Sequence, residues 1–200
     1  MYDLGSSFAN TTVPPGTNLL IAGPPLSGVR RIAFSALTAG EDDAIVITAR
    51  HRAEQVRTEL PESEGTVGIV DCVTAHQGRT PPNDERTRYA ASPADFTGIG
   101  TAFAALIKEF TADGATQIRV LVDSLSLLLP YANLQAVFEF MHVLTNRIAD
   151  IDALGLHVIE TPAHTPEEVQ TLSQLFDAKI DVEDNAVVPE TLPSFADTER

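Results

Sequence analysis

The segment from Gly23 to Arg30 has the residue types and spacing of a phosphate-binding loop, with two departures. Its residues are Gly23, Pro24, Pro25, Leu26, Ser27, Gly28, Val29 and Arg30. The glycines take the first and sixth positions of the pattern G-x-x-x-x-G-K-[ST], in which backbone N–H groups bind phosphate. Val29 stands where lysine would contact the β and γ phosphates, and Arg30 where a hydroxyl would bind Mg²⁺. The loop predicts a degenerate nucleotide-binding or anion-binding site.

A second chemical feature is the acidic residue that ends a buried apolar run. Asp123 and Ser124 follow residues 120–122, which are Val, Leu and Val. In nucleotide-binding proteins a carboxylate at this place binds the magnesium shell. Paired with the glycine loop, it indicates nucleotide-binding ancestry.

The arginines after the loop leave two interpretations open. Arg30 and Arg31 fall in the first turn of a predicted helix, where the helix dipole disfavours positive charge. In one interpretation Arg30 binds a phosphate or pairs with Asp123 and fills the space of the missing lysine. In the other, which the sequence favours, both arginines point to solvent or to a neighbouring acid.

Three acidic residues, Asp71, Asp123 and Glu160, each end a predicted strand. They could converge into a metal site of oxygen ligands. The sequence favours the simpler interpretation, in which they cap helices or are solvated at the sheet edge, so no metal site is predicted. The single cysteine, Cys72, is expected to pack as a small hydrophobic residue and not to act as a nucleophile.

The elements that would position these residues alternate along the chain. Apolar runs predict strands over residues 18–22, 44–48, 67–71, 118–122, 156–160 and 178–182. Helical periodicity and capping residues predict helices over residues 29–39, 53–60, 98–112 and 134–148 and from Thr165 onward. This alternation predicts an α/β fold with a mostly parallel central sheet covered by helices on both faces. The ligand site should then lie at the carboxyl ends of the strands.

The chain is expected to form one domain over residues 1–185. Within it, residues 74–91 are polar and without periodicity, which predicts a long functional or mobile loop. Residues 186–200 are expected to form a poorly ordered tail.

The composition restricts the compartment and the partners. The 200 residues include 13 Lys+Arg and 28 Asp+Glu, a formal net charge of -15, which argues against nucleic acid as a partner. An acidic, lysine-poor surface is also typical of proteins that work in concentrated salt. The sequence shows neither a signal peptide nor a membrane span, so a cytoplasmic protein is expected.

Several segments resemble the KaiC-like branch of the RecA superfamily, and within it a group of haloarchaeal proteins. They are VPPGTNLLIAGPPLSG at 13–28, VGIVDCV at 67–73, FTGIG at 96–100, VDSLS at 122–126 and YANLQAVF at 131–138. The resemblance covers residues 13–182 and implies a three-layer RecA-like P-loop NTPase core, often assembled into rings or filaments with nucleotide between subunits.

Carried over by position, Gly23, Gly28 and Asp123 match the family's motifs, whereas Val29 and Arg30 depart from them. The catalytic carboxylate that such proteins keep after the second strand is also missing, because residues 49–51 are Ala, Arg and His.

These losses favour a catalytically inactive RecA-like domain that regulates or scaffolds, by self-association or by docking on a partner ATPase, with no cofactor. The alternative is an ATP-binding enzyme with a non-standard loop, using Arg30 for the lysine and Asp123 for Mg²⁺, in signalling or DNA-repair accessory work. A homo-oligomer or a RecA-like regulatory protein is the expected partner.

Overall fold

The computed structural model describes residues 1–82, 84 and 86–193, and an eight-stranded sheet forms its centre. The strands of this sheet are β3 (Asn18–Gly23), β4 (Asp43–Thr48), β5 (Val67–Asp71), β6 (Thr87–Tyr89), β7 (Ile118–Asp123), β8 (Leu154–Glu160), β9 (Ala178–Glu183) and β10 (Ala186–Val187). A separate antiparallel pair consists of β1 (Tyr2–Asp3) and β2 (Thr12–Val13). The helices are α1 (Val29–Leu37), α2 (Ala53–Glu59), α3 (Phe96–Ala112), α4 (Leu125–Leu128), α5 (Leu134–Asp150) and α6 (Pro166–Ser173).

The strand order in the sheet is β10-β9-β3-β8-β7-β4-β5-β6. All neighbours pair in parallel except β9 and β10. β3, an inner strand between β9 and β8, is buried along its whole length, as the continuous apolar run of a strand covered on both faces requires.

Each face of the sheet carries its own apolar core. One core packs α3, α5 and α6 against the sheet, and the other packs α1, α2 and the β1–β2 hairpin. The expected α/β architecture with helices on both faces is therefore confirmed. The predicted helix bounds agree with the observed ones to within about two residues.

The structure differs from the sequence-based expectation in the segment 74–91. Residues 87–89 form β6, which pairs in parallel with β5 at the edge of the sheet. Its residues, Thr, Arg and Tyr, lack an apolar pattern because an edge strand needs little burial. Ion pairs fix its surroundings, one between Arg57 and Asp84 at 3.2 Å and one between Arg88 and Glu109.

The expected tail is also shorter than predicted. Residues 186 and 187 form β10, and a single 3-10 turn, Pro189–Thr191, follows it. The Thr191 hydroxyl accepts a hydrogen bond from the Asp181 amide at 3.0 Å, which fastens this segment to β9. The rest of the predicted tail, residues 194–200, lies outside the described residues.

One glycine that was expected to precede a strand lies inside it. Gly155 belongs to β8, and a Cβ atom at this position would overlap the Asn18 side chain and lie 2.8 Å from His157 Nε2. The missing side chain makes room for the buried pair of His157 and Asn18, whose Nε2 and Oδ1 atoms are 3.0 Å apart.

The parallel register brings the carboxyl ends of the central strands to one edge of the sheet. Gly23 pairs with Glu160, and Thr48 pairs with both Asp71 and Asp123. In the part of the chain that the structure describes, no helix is long and apolar enough to cross a membrane.

Candidate functional site

The glycine loop joins β3 to α1 at this edge of the sheet. Gly28 is the N-cap of α1 and has φ 79°, a left-handed conformation that glycine adopts without strain. Leu26 also has a positive φ and is 98% exposed. The Ser27 amide donates to the Pro24 carbonyl at 3.1 Å, which closes the turn. The loop thus precedes a helix N-terminus, where amide groups have no partner within the helix.

The turn between β9 and β10 packs against this loop. The Asn185 amide donates to the Ser27 carbonyl at 2.9 Å, and the exposed Arg31 donates to the Asn185 carbonyl at 3.0 Å. A Cβ atom at Gly28 would overlap the Asn185 side chain, and one at Gly23 would lie 2.6 Å from the Val182 carbonyl. Both glycines of the motif are therefore required by this chain's own packing.

Arg30 extends from the first turn of α1 to the buried acid at the end of β7. Its Nε donates to Asp123 Oδ2 at 2.7 Å, and its Nη1 contacts Glu59 at the end of α2. Its guanidinium also lies 4.4 Å from the centre of the Phe34 ring. The sequence left two interpretations of these arginines open. In the structure Arg30 pairs with Asp123, as the less favoured interpretation states, whereas Arg31 is exposed.

A second arginine approaches the same carboxylate from the opposite side. Arg50 follows β4; its Nη2 donates to Glu160 Oε1 at 2.7 Å, and its Nε lies 3.7 Å from Asp123 Oδ1. Each carboxylate oxygen of Asp123 therefore faces a guanidinium, and the Asp123 side chain is fully buried. Two guanidinium and three carboxylate groups, counting Glu59 and Glu160, meet at this edge.

The charge state of this cluster follows from its contacts. Burial by itself would lower the pKa of the Arg30 guanidinium. The negative charge of Asp123 and the hydrogen bonds to Asp123 and Glu59 outweigh burial, so the pKa of Arg30 is raised above its ordinary value. Arg30 therefore stays cationic at every pH at which the protein is folded.

The three strand-ending acids are hydrogen-bonded to groups of the chain itself. The buried Asp71 accepts hydrogen bonds from the amides of Ala53, Val73 and Thr74 at 2.7–2.9 Å and from the Thr74 hydroxyl at 2.7 Å. It is a capping residue, as the sequence favoured. Among the described residues, no three His, Cys, Asp or Glu side chains are grouped as metal ligands.

The neighbouring side chains Cys72 and Ser124 are buried. Burial, followed by the charge of Asp71, raises the pKa of the Cys72 thiol, so the thiol stays protonated and packs as an apolar group. The Ser124 hydroxyl makes no hydrogen bond within the described residues.

Three contributors to this site were not found from the sequence. Arg50 was noted only as a residue that replaces a carboxylate, and Glu59 and Asn185 were not noted at all. Arg50 could have been found by asking which cations the parallel sheet brings to the edge that carries Asp123. No local pattern indicates Asn185, because its role depends on the pairing of β9 with β3.

The acidic groups of this site are engaged by cations of the chain itself. Asp123 faces two arginines, at 2.7 and 3.7 Å. The first amides of α1 have no partner within the helix. Polar atoms of the site without a hydrogen-bond partner within the described residues include Arg30 Nη2, Arg50 Nε, Asp123 Oδ1, Ser27 Oγ and Ser124 Oγ.

Solved structures with a similar fold include a KaiC-like protein and an ATPase. A KaiC-like protein from the hyperthermophilic archaeon Pyrococcus horikoshii OT3 has a TM-score of 0.58 and 19% identity over 84% of this chain and 73% of its own. Another protein of the same archaeon has a TM-score of 0.63 and 10% identity over 92% of this chain and 90% of its own. An ATPase from the type III secretion system of pathogenic bacteria has a TM-score of 0.60 and 10% identity over 97% of this chain and 61% of its own.

These similarities establish a RecA-like α/β fold, which the sequence motifs had implied. At such low identities they carry no activity to this chain. No curated protein is detectably similar to it in sequence. The family of unknown function DUF7504 matches residues 16–182, which include the glycine loop and every strand-ending acid of the site, and the chain belongs to this family.

Proposed function

We propose that this RecA-like domain does not hydrolyse ATP and acts as a regulatory or scaffolding protein, by self-association or by docking on a partner protein. The observation that carries the proposal is the pair of arginines on Asp123. Both oxygens of this buried carboxylate face guanidinium groups, at 2.7 and 3.7 Å.

The residues present do not fit nucleotide-bound Mg²⁺. The metal takes oxygen ligands, and in related sites a hydroxyl from the loop and a carboxylate from the strand hold it. Arg30 replaces the hydroxyl with a group that has no lone pair to donate. It also places a positive charge against the Asp123 oxygen that would face the metal. Val29 removes the cation that would contact the β and γ phosphates.

The residues also lack a base for hydrolysis. The resemblance places the catalytic carboxylate just after the second strand, where this chain has Arg50. Its guanidinium is engaged by Glu160 and Asp123 and cannot accept a proton from water. Hydrolysis would therefore lack the metal, the phosphate-binding lysine and the base together.

A second candidate function is nucleotide or phosphate binding without a metal. Its support is the preserved glycine frame together with the Arg30 Nη2 atom, which has no partner within the described residues. In this alternative Arg30 would contact both Asp123 and a phosphate, and the loop amides would complete the site.

Calorimetric titration with ATP, with and without Mg²⁺, in concentrated KCl separates the two candidates. The non-hydrolysing scaffold predicts no binding in the micromolar range and no phosphate release. Micromolar binding that is lost in Arg30→Ala but kept in Arg31→Ala would overturn it and support the alternative. Arg31 is the matched control, because it follows Arg30 directly, is exposed and donates a hydrogen bond to the Asn185 carbonyl.

A further inference from the structure

An apolar groove of about 490 Å³ separates α3 from α5 on the helix layer that covers one face of the sheet. At one end the rings of Phe96 and Phe140 stack with their centroids 4.5 Å apart. Further along, Val143 is 68% exposed, one of the few large apolar side chains of the described residues left in solvent. The lining residues run from Phe96 to Ala104 on α3 and from Phe140 to Arg147 on α5, about two turns of each helix, which is enough to contact two turns of an added helix.

The α3 wall of the groove includes a glycine that this chain does not use. Gly100 lies within α3, where glycine lowers helix stability relative to alanine. A Cβ atom at Gly100 would meet no atom within 4 Å, so no contact of the chain itself requires its absence. Ala104, one turn later, also lines the groove. An external backbone can therefore approach α3 closely at this point.

Unpaired positive charge marks the other end of the groove. Arg147 lines it in the last turn of α5, and Lys108 lies one turn beyond Ala104 on α3. Within the described residues neither cation belongs to an ion pair, which is also true of Arg31 and Arg79. The cations in ion pairs are Arg30, Arg50, Arg52, Arg57, Arg86, Arg88, Arg119 and Lys179. In a chain with 28 acidic residues, two such cations beside an apolar groove are complementary to an external carboxylate.

We propose that this groove binds an amphipathic helix of a partner protein. The apolar face of that helix packs on Phe96, Phe140 and Val143, its backbone lies over Gly100, and an acidic residue at its end pairs with Arg147. This is the helix-in-groove mode of recognition. The inference gives the proposed docking role a surface and a partner chemistry, and it does not depend on whether the glycine loop binds nucleotide.

The test is a titration with a labelled helical peptide of about 18 residues, five turns, that has leucines on one face and two glutamates at one end. A second peptide has lysines in place of the glutamates. By fluorescence anisotropy, the full chain should bind the acidic peptide at least about tenfold more tightly than the basic one. Arg147→Glu should reverse this preference.

Filling the groove should abolish binding of either peptide. Gly100→Phe places a ring in the open space, and Ala112→Phe, at the exposed end of the same helix, is the matched control. Thermal unfolding establishes that both variants are folded. Equal binding of the two peptides, no binding by the wild type, or no loss in Gly100→Phe would overturn the proposal.

Sedimentation of the chain alone tests the competing occupant. If the chain forms a dimer, the proposal predicts that Gly100→Phe does not dissociate it. A dimer of that kind would assign the groove to a second copy and overturn the partner helix. These outcomes are separate from those of the ATP titration, so the two proposals can fail independently.

Discussion

Replacing Arg30 with methionine should destabilise the protein far more than the same change at Arg31. Methionine keeps much of the apolar stem but removes the guanidinium, which contacts the Phe34 ring and donates the 2.7 Å hydrogen bond to one oxygen of Asp123. Asp123 is fully buried, and Arg50, at 3.7 Å from the other oxygen, compensates only in part. The adjacent Arg31 is exposed and donates one hydrogen bond to a backbone carbonyl.

The size of the effect follows from the burial of this pair. Removing one partner of a fully buried ion pair costs about 3–5 kcal/mol. Because the Arg30 side chain is 22% exposed and Arg50 remains, we expect about 2–3 kcal/mol for Arg30→Met. For Arg31→Met we expect less than about 1 kcal/mol, the usual range for an exposed side chain with one hydrogen bond.

Equilibrium unfolding in urea measures both variants, because urea is uncharged and leaves the ionic strength constant. Far-UV circular dichroism in concentrated KCl reports the midpoint, and an unchanged slope shows that the transition is comparable. In the background of Asp123→Asn, Arg30→Met should cost little, which gives a coupling free energy above about 1 kcal/mol. Equal losses in Arg30→Met and Arg31→Met, or no coupling to Asp123, would refute the account of the buried cluster.

Three further predictions concern other parts of the molecule. Burial lowers the pKa of His157 from its ordinary value near 6.5 to about 3. Between these two pH values the unfolded chain binds a proton that the folded chain does not. The free energy of unfolding therefore falls as the pH falls through this range. At pH 5 this loss amounts to about 2 kcal/mol. Urea unfolding across this pH range should show the loss of stability in the wild type and in His142→Gln, which alters an exposed histidine. His157→Gln should not show it. A His157→Gln variant with the wild-type pH dependence would contradict the assignment of this loss to His157. Gly100→Ala should raise the free energy of unfolding by up to about 1 kcal/mol, because the added methyl group meets no atom of the chain within 4 Å. Gly28→Ala should lower the free energy of unfolding by more than about 1 kcal/mol through backbone strain and overlap with the β9–β10 turn. Thermal midpoints of the two variants that shift in the same direction would refute this account. With a net charge of -15, the thermal midpoint should rise as KCl is increased from about 0.1 to about 1 M, because the Debye length shortens from about 10 to about 3 Å and screens the repulsion between acidic side chains. Full stability at the lower KCl concentration would argue against adaptation to concentrated salt.

The sheet and the main helices could be predicted from the sequence because each has a strong local signal. Strands buried on both faces are nearly continuous in apolar residues, as in β3, and Thr165 with Glu168 forms the expected capping box at the start of α6. The short edge strands β6 and β10 were missed for the opposite reason. Their residues gain little from burial, and they are held by pairing with a neighbour that is not visible in the local pattern.

The positions of the candidate site were predicted from the sequence, and the pairing of Arg30 with Asp123 was one of two interpretations that the sequence left open. The sequence places Arg30 and Asp123 at the same edge of the sheet. The two residues are 93 positions apart in the chain, so whether their side chains meet depends on tertiary packing. The contribution of Arg50 depends in the same way on β4 lying beside β7. A motif indicates which residues meet, whereas the direction in which each long side chain extends is decided by tertiary packing.

In the proposed function, Arg30 and Arg50 lie against Asp123 where a metal ion would otherwise bind. Electron paramagnetic resonance of Mn²⁺ with ATP tests it most directly, because the spectrum of Mn²⁺–ATP changes when the complex binds to a protein. We predict that the wild-type chain leaves the free Mn²⁺–ATP spectrum unchanged. A protein-bound spectrum in the wild type that disappears in Asp123→Asn would contradict the claim.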